Sequence, residues 1–132
     1  MRVLAIDHGL ARCGCAVSDA TGTIVRPIDP IEPPDLAAIA ALVEAERAEA
    51  VLVGLPLGLD GREGEQATIV RAFCAELAER VSVPVETWDE RLTTAMAGAS
   101  RRSGAKAAED SIAAAHLLES FLLAREGRRE GR

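Results

Sequence analysis

The chain has 132 residues, of which 48% are hydrophobic and 2% aromatic, and its formal net charge is −6 at pH 7. This length predicts a single domain. The few aromatic residues argue against binding by serial stacking of bases, and the acidic balance argues against a protein that coats nucleic acid. The three cysteines, Cys13, Cys15 and Cys74, do not suggest a disulfide framework, and we expect them to pack as small apolar residues.

Three short apolar runs open the chain and predict three neighbouring antiparallel strands. They cover Arg2 to Asp7, Cys13 to Asp19 and Ile24 to Pro27, with short turns between them. A proline-rich connector from Asp29 to Asp35 follows, and Asp35 is suited to cap the next helix. That helix is predicted from apolar residues at helical spacing: Leu36, Ile39, Ala40 and Val43.

The rest of the chain alternates strands with helices. Ala50 to Pro56 is a continuous apolar run, as expected of a parallel strand buried on both faces. A helix with Val70, Phe73, Cys74 and Leu77 on one stripe comes next, then a strand from Val83 to Trp88 and an apolar helix from Ser111 to Ala124. The order predicts an α/β fold with a mixed five-stranded sheet, three antiparallel strands and then two parallel ones, and helices on both faces. We expect one domain over residues 1–124 and a basic, flexible tail over 125–132.

The sequence shows no signal-peptide pattern and no apolar run long enough to span a membrane. We therefore expect a cytoplasmic protein without a membrane partner. Basic residues cluster between Arg91 and Ala108, where no acid occurs, and again in the tail. These charges are open to two interpretations, a solvated surface or a surface that faces phosphates.

Acidic residues stand where two predicted strands end. Asp7 closes the first strand, while Asp89 and Glu90 follow the last, and Asp110 opens the final helix. In α/β sheets, ligands bind beyond the carboxyl ends of the parallel strands, so these acids converge if the two strands are close. Converging carboxylates repel each other, and Mg²⁺ removes that penalty. Asp110 has the alternative role of a helix cap, and Glu90 that of an ion-pair partner for Arg91 or Arg12.

The segment DHGLARCG, which begins at Asp7, has the composition of a phosphate-binding turn. Gly9 suits a tight turn, and Arg12 is able to hold a phosphate through two hydrogen bonds. His8 points away from Asp7 if both residues are extended. His116 lies among alanines and leucines, and we expect it to pack in the core.

Four segments together resemble the signature blocks of the bacterial YqgF family: LAIDHGLARCGCAVSD, VLVGLPLGLDG, TWDERLTT and EDSIAAAHLLESFL. The resemblance covers about residues 2–123. Members of this family are described as Holliday-junction-resolvase-like proteins and as nucleases that mature the 5′ end of pre-16S ribosomal RNA. The resemblance implies a ribonuclease H-like fold and a phosphodiesterase site that uses two metal ions, Mg²⁺ or Mn²⁺.

The same resemblance implies roles for individual residues. Catalytic and metal-binding roles fall on Asp7, Glu90 and Asp110, and substrate binding falls on Arg12, Arg91 and Thr93. We expect Arg101, Arg102 and Lys106 to hold further phosphates. The sequence departs from the family at His8, where a bulky apolar or aromatic residue is usual, and over 94–110, which is shorter than in relatives. The short segment puts substrate affinity in question.

Three functional hypotheses follow. The first is a metal-dependent nuclease that matures the 5′ end of pre-16S ribosomal RNA. The second is a resolvase of branched DNA, which requires two active sites and therefore a dimer. The third is a ribosome-assembly factor that binds nucleic acid without cutting it. We expect the chain to be a monomer or a weak homodimer.

Overall fold

The structure is a computed structural model that describes residues 1–58, 60–92 and 111–130, apart from the side chains of 92 and 127–130. The strands are β1 (Val3–His8), β2 (Cys13–Ser18), β3 (Val25–Ile31), β4 (Ala50–Leu55) and β5 (Val85–Asp89). The described helices are α1 (Leu36–Ala45), α2 (Glu65–Ala78) and α3 (Ile112–Glu130). The strand order is β3-β2-β1-β4-β5, with β2 antiparallel to its two neighbours and β4 parallel to its own. The predicted mixed five-stranded sheet is confirmed.

Consecutive residues of β1 face opposite sides of the sheet. Leu4 and Ile6 belong to an apolar cluster with residues of α1 and α2, whereas Val3 and Ala5 belong to a second cluster with residues of α3. This alternation is the ordinary pattern of a strand that is buried on both faces. It therefore decides which side of the sheet the polar residues at the end of β1 will face.

The third strand is longer than the sequence predicted. It continues through Pro27 and Pro30 to Ile31, so the prediction of a connector starting at Asp29 was wrong over its first three residues, 29–31. Prolines are tolerated here because β3 is an edge strand. The predicted cap is confirmed, since the Asp35 carboxylate accepts a hydrogen bond of 3.0 Å from the backbone N–H of Ala37.

The final helix is also longer than predicted. It continues past Ala124 to Glu130, because arginine and glutamate favour a helix even where the apolar stripe has ended. Among the described residues, no helix is both long enough and apolar enough to cross a membrane.

Candidate active site

Two carboxylates, one near the end of β1 and one just after β5, open into one cavity between the sheet and α3. Asp7 lies near the carboxyl end of β1, and Glu90 follows β5 directly, as the first residue of a short 3-10 helix, Glu90–Leu92. Both line a cavity of about 310 Å³, whose wall on α3 includes His116 and Leu117. In the part of the chain that is described, no lysine or arginine lines this cavity. The charged side chains of the described lining are therefore the two acids.

A glycine in the intervening strand allows the two acids to approach each other. Strand β4 lies between β1 and β5, and adjacent strands are about 4.8 Å apart, so the backbones that carry Asp7 and Glu90 are about 10 Å apart. The Glu90 side chain crosses this gap over Gly54 of β4. A Cβ atom added at Gly54 would lie 2.6 Å from Oε2 of Glu90 and 3.1 Å from its Cγ. Only glycine at this position leaves the carboxylate where it is.

The environment of the two acids raises both pKa values. Burial raises the pKa of Asp7 above its ordinary value of 3.8, although the neighbouring His8 opposes this. Burial also raises the pKa of Glu90 above 4.5, and the negative charges of Asp7 and Asp89 raise it further. Ionised together, these carboxylates are unfavourably placed, and a bound cation would relieve the cost.

The chemistry of this cavity fits a divalent cation. Its two carboxylates supply the oxygen ligands that Mg²⁺ and Mn²⁺ prefer. Nε2 of His116, in the wall of the same cavity, is buried and has no hydrogen-bond partner among the described residues. Within the described ranges, no group of three histidine, cysteine or acidic side chains could by itself hold an ion. Asp7 and Glu90 would thus need additional ligands.

The two described arginines of the predicted site each pair with an acid outside the cavity. Nη2 of Arg12 lies 3.1 Å from Oε2 of Glu32, and the Arg12 side chain is 42% exposed. Nη2 of Arg91 lies 2.7 Å from Oδ2 of Asp89. These ion pairs hold the two guanidinium groups against Glu32 and Asp89.

The remaining predicted site residues lie outside the described residues: Thr93, Arg101, Arg102, Lys106 and Asp110. Asp110 directly precedes Ser111 in the chain, and α3 begins at the residue after that. Ser111 is fully buried. The residue that follows Asp110 in the sequence is therefore packed at the start of α3.

One of the two histidines lies where the sequence predicts, and the other does not. His116, predicted as a core residue, lines the acidic cavity, because periodicity alone does not tell which side of an apolar helix faces a site. His8 faces the α2 side, as its alternation with Asp7 predicted, and its ring centroid lies 4.6 Å from that of Phe73. Burial lowers the pKa of His8.

The sequence analysis missed the part played by Gly54. The residue interrupts an otherwise apolar run, VLVGLP, and an isolated glycine within a strand often marks the close approach of another group. That signal was present, but its meaning depends on knowing that β4 lies between β1 and β5.

Solved structures define the class of the fold. The chain is similar to the Thermus thermophilus RuvC structure with a TM-score of 0.63 at 17% identity, over 96% of this chain and 97% of that one. T. thermophilus RuvC in complex with a Holliday junction substrate gives a TM-score of 0.63 at 19% identity, over 96% of each chain. At such identities the likeness shows the fold alone, and this is a ribonuclease H-like fold.

The family follows from the sequence comparisons. A family model described as "RuvX: Holliday junction resolvase" matches residues 1–124, and the chain belongs to this family. A relative from Anaplasma marginale is 39% identical over 96% of this chain and 87% of its own length. Another, from an Anaeromyxobacter species, is 41% identical over 92% and 96%. Both carry the name "Putative pre-16S rRNA nuclease". The resemblance noted from the four sequence blocks is confirmed.

Proposed function

We propose that this chain is a nuclease that cuts a phosphodiester bond in structured RNA at the site of Asp7 and Glu90. The observation that supports this most is their shared cavity, reached by Glu90 across Gly54. A pair of acids whose pKa values are both raised by burial is typical of a functional site rather than of packing.

We propose that Asp7 and Glu90 hold Mg²⁺ or Mn²⁺, with Asp110 as a third carboxylate. When two such ions are bound, they activate water and stabilise the leaving oxygen of a phosphodiester. The chain's own contribution is to fix the carboxylates: Asp7 through the pairing of β1, and Glu90 through the turn that follows β5. Leu117 of α3 supplies an apolar wall that limits water on one side of the cavity.

The proposed contacts with phosphate come from basic residues around the acids. Arg12 stands in the turn after β1, where a substrate phosphate would compete with Glu32 for its guanidinium. Arg91 follows Glu90 and lies against Gly61, whose added Cβ would be 3.6 Å from Nη1 of Arg91. By sequence, Thr93, Arg101, Arg102 and Lys106 are further candidates. A substrate with many phosphate contacts would bind less tightly as salt rises.

The relatives' names support pre-16S rRNA as the substrate. We propose that the protein acts in ribosome biogenesis in the cytoplasm. The test is a cleavage assay on pre-16S leader RNA with Mg²⁺ or Mn²⁺, comparing the wild type with Asp7→Asn. We expect metal-dependent cutting that falls at least about 1,000-fold in the variant, because one of the site's two described carboxylates is lost. Cutting that survives in a pure Asp7→Asn preparation would contradict the proposal.

Branched DNA is the second candidate substrate, favoured by the family's description and by the RuvC structure solved with a Holliday junction. The same assay should therefore include a four-way DNA junction. Junction resolution requires two active sites and predicts a dimer on the junction, which analytical ultracentrifugation would detect. If the chain binds RNA or DNA and cuts neither, the third hypothesis, a non-catalytic assembly factor, replaces both.

A further inference from the structure

A buried serine hydroxyl joins three elements beside the acidic cavity. Ser111 is 0% exposed and directly precedes α3. Its Oγ accepts a hydrogen bond of 3.0 Å from the backbone N–H of Cys15 in β2, and the hydroxyl donates to the backbone carbonyl of Ile28 in β3. These bonds connect residues that are 96 and 83 positions apart in the chain. One hydroxyl thus fixes the helix start against two strands.

The two strand residues that are hydrogen-bonded to this hydroxyl are direct neighbours in the sheet. Cys15 pairs with Ile28, and Cys13 pairs with Ile31, so the register shifts between these two pairs. One residue of β2 therefore faces two of β3, which is a β-bulge. Bulges are common next to active sites, where they redirect a side chain or interrupt the pairing of strands. Here the bulge lies next to the position where Ser111 binds.

The contact is close to Asp7. In the antiparallel pair of β1 and β2, Asp7 lies opposite Gly14, and the N–H bound by Ser111 belongs to the next residue, Cys15. On the helix side, Ala113 and His116, shortly after Ser111, form part of the cavity wall. The separation between the α3 wall and Asp7 is therefore set at Ser111.

We propose that Ser111 is a positioning residue for the acidic site: its hydroxyl fixes the start of α3, and with it the cavity wall that includes His116, relative to Asp7. This inference rests on the proposed function. The competing explanation is that the hydroxyl only stabilises the fold, since a buried hydroxyl with its hydrogen bonds made contributes to stability anywhere.

A second buried serine separates the two explanations. Ser18, the last residue of β2, is 2% exposed. Its Oγ accepts a hydrogen bond of 2.8 Å from the N–H of Val3 and donates one of 2.9 Å to the carbonyl of Met1. Ser18→Ala and Ser111→Ala therefore each remove a buried hydroxyl that accepts from one backbone N–H and donates to one backbone carbonyl. Only Ser111 lies beside the acids.

The experiment measures the dissociation constant for Mn²⁺, by electron paramagnetic resonance, in the wild type, Asp7→Asn, Ser111→Ala and Ser18→Ala. Folding is checked through the fluorescence of Trp88, whose ring packs edge-to-face on Phe121 of α3 at a centroid distance of 5.3 Å. We expect Ser111→Ala to weaken Mn²⁺ binding at least about tenfold, the lower end of the loss that follows removal of a group that supports a metal site. Ser18→Ala should stay within about twofold of the wild type although it is destabilised to a similar degree.

Equal Mn²⁺ affinities in the two serine variants would overturn the inference and leave the proposed metal site standing. Mn²⁺ binding that is absent from the wild type, or unchanged in Asp7→Asn, would instead overturn the proposed metal site and the inference with it. If Ser111→Ala does not fold, Ser111→Thr replaces it, because threonine keeps the hydroxyl. That variant should bind Mn²⁺ within about twofold of the wild type, and binding as weak as in Asp7→Asn would overturn the inference.

Discussion

The end of β1 places two adjacent residues in opposite environments. On the α3 face, Asp7 shares an acidic cavity with Glu90, and burial raises the pKa of both carboxyls. On the α2 face, His8 packs its ring on Phe73 beside a groove that includes Pro33 and Ile69. The α3 face holds two acids close together at a cost in free energy. The α2 face packs an imidazole ring against apolar side chains.

This contrast shows how a strand that is buried on both faces separates chemistry from packing. Successive side chains of a strand point to opposite sides, so one step along the backbone moves a residue from the site to the packed layer. Each face also contains a buried histidine nitrogen without a hydrogen-bond partner among the described residues, Nε2 of His116 and Nδ1 of His8. Because the acids lie on one face and the packed ring on the other, the two faces should nevertheless respond to mutation in opposite ways.

The largest effect in this comparison is expected from Gly54→Ala on the acidic face. The new Cβ would lie 2.6 Å from Oε2 of Glu90, so the carboxylate must move, and a displacement of this kind is expected to slow RNA cleavage about 100-fold. The melting temperature should change little, because the group that yields is the end of a flexible side chain. Cleavage rate and thermal unfolding are measured on the same preparation.

Gly64→Ala is the matched control for that variant. A Cβ added at Gly64 meets nothing within 4 Å, so cleavage should stay within about twofold of the wild type. If Gly54→Ala cleaves RNA as fast as Gly64→Ala, Glu90 does not need the space over β4.

The opposite pattern is expected from His8→Ala on the packed face. Loss of the ring contact with Phe73 should lower the free energy of unfolding by about 1–2 kcal/mol, while cleavage changes less than about threefold. Urea unfolding and the cleavage assay measure the two quantities. His8→Phe keeps an aromatic ring and removes the unpartnered nitrogen, so it should be more stable than His8→Ala. A loss of cleavage in a well-folded His8→Phe would assign the histidine to the site.

The smallest effect is the pH dependence of stability that Asp7 causes. Because its folded-state pKa is raised, the unfolded chain ionises first as pH rises above 3.8, and the free energy of unfolding decreases from there until the folded carboxyl also ionises. Asp7→Asn, which does not ionise, should therefore melt a few degrees higher than the wild type at pH 7 without divalent ions. The difference should shrink towards pH 4 and also when Mn²⁺ is added at pH 7. A variant that melts lower at pH 7 would contradict this account.

Much of the fold was predictable because local patterns determine it. The continuous apolar run of β4 and the helical spacing from Leu36 to Val43 identified their elements without reference to the rest of the chain. The extension of β3 through Pro27 and Pro30 was not predictable, since prolines end a strand in the middle of a sheet but not at its edge. Edge position is a property of the assembled sheet.

The residues of the site were also predictable only in part. Acids that end strands pointed to Asp7 and Glu90, because the carboxyl edge of a sheet gathers such residues. Gly54 and Ser111 were missed, since their roles consist of contacts with distant parts of the chain: the Glu90 side chain for one, and the bulge at Cys15 and Ile28 for the other. No local pattern encodes those contacts.

The central claim is that Asp7 and Glu90 form one charged site across β4. Its most direct test follows the side-chain carboxyl of Glu90 by carbon-detected NMR through a pH titration, in the wild type and in Asp7→Asn, without divalent ions. The pKa of Glu90 should lie above 4.5 in the wild type and should fall when the Asp7 charge is removed. A Glu90 pKa that is the same in both proteins would show that the two carboxylates do not share a site, and would contradict the account.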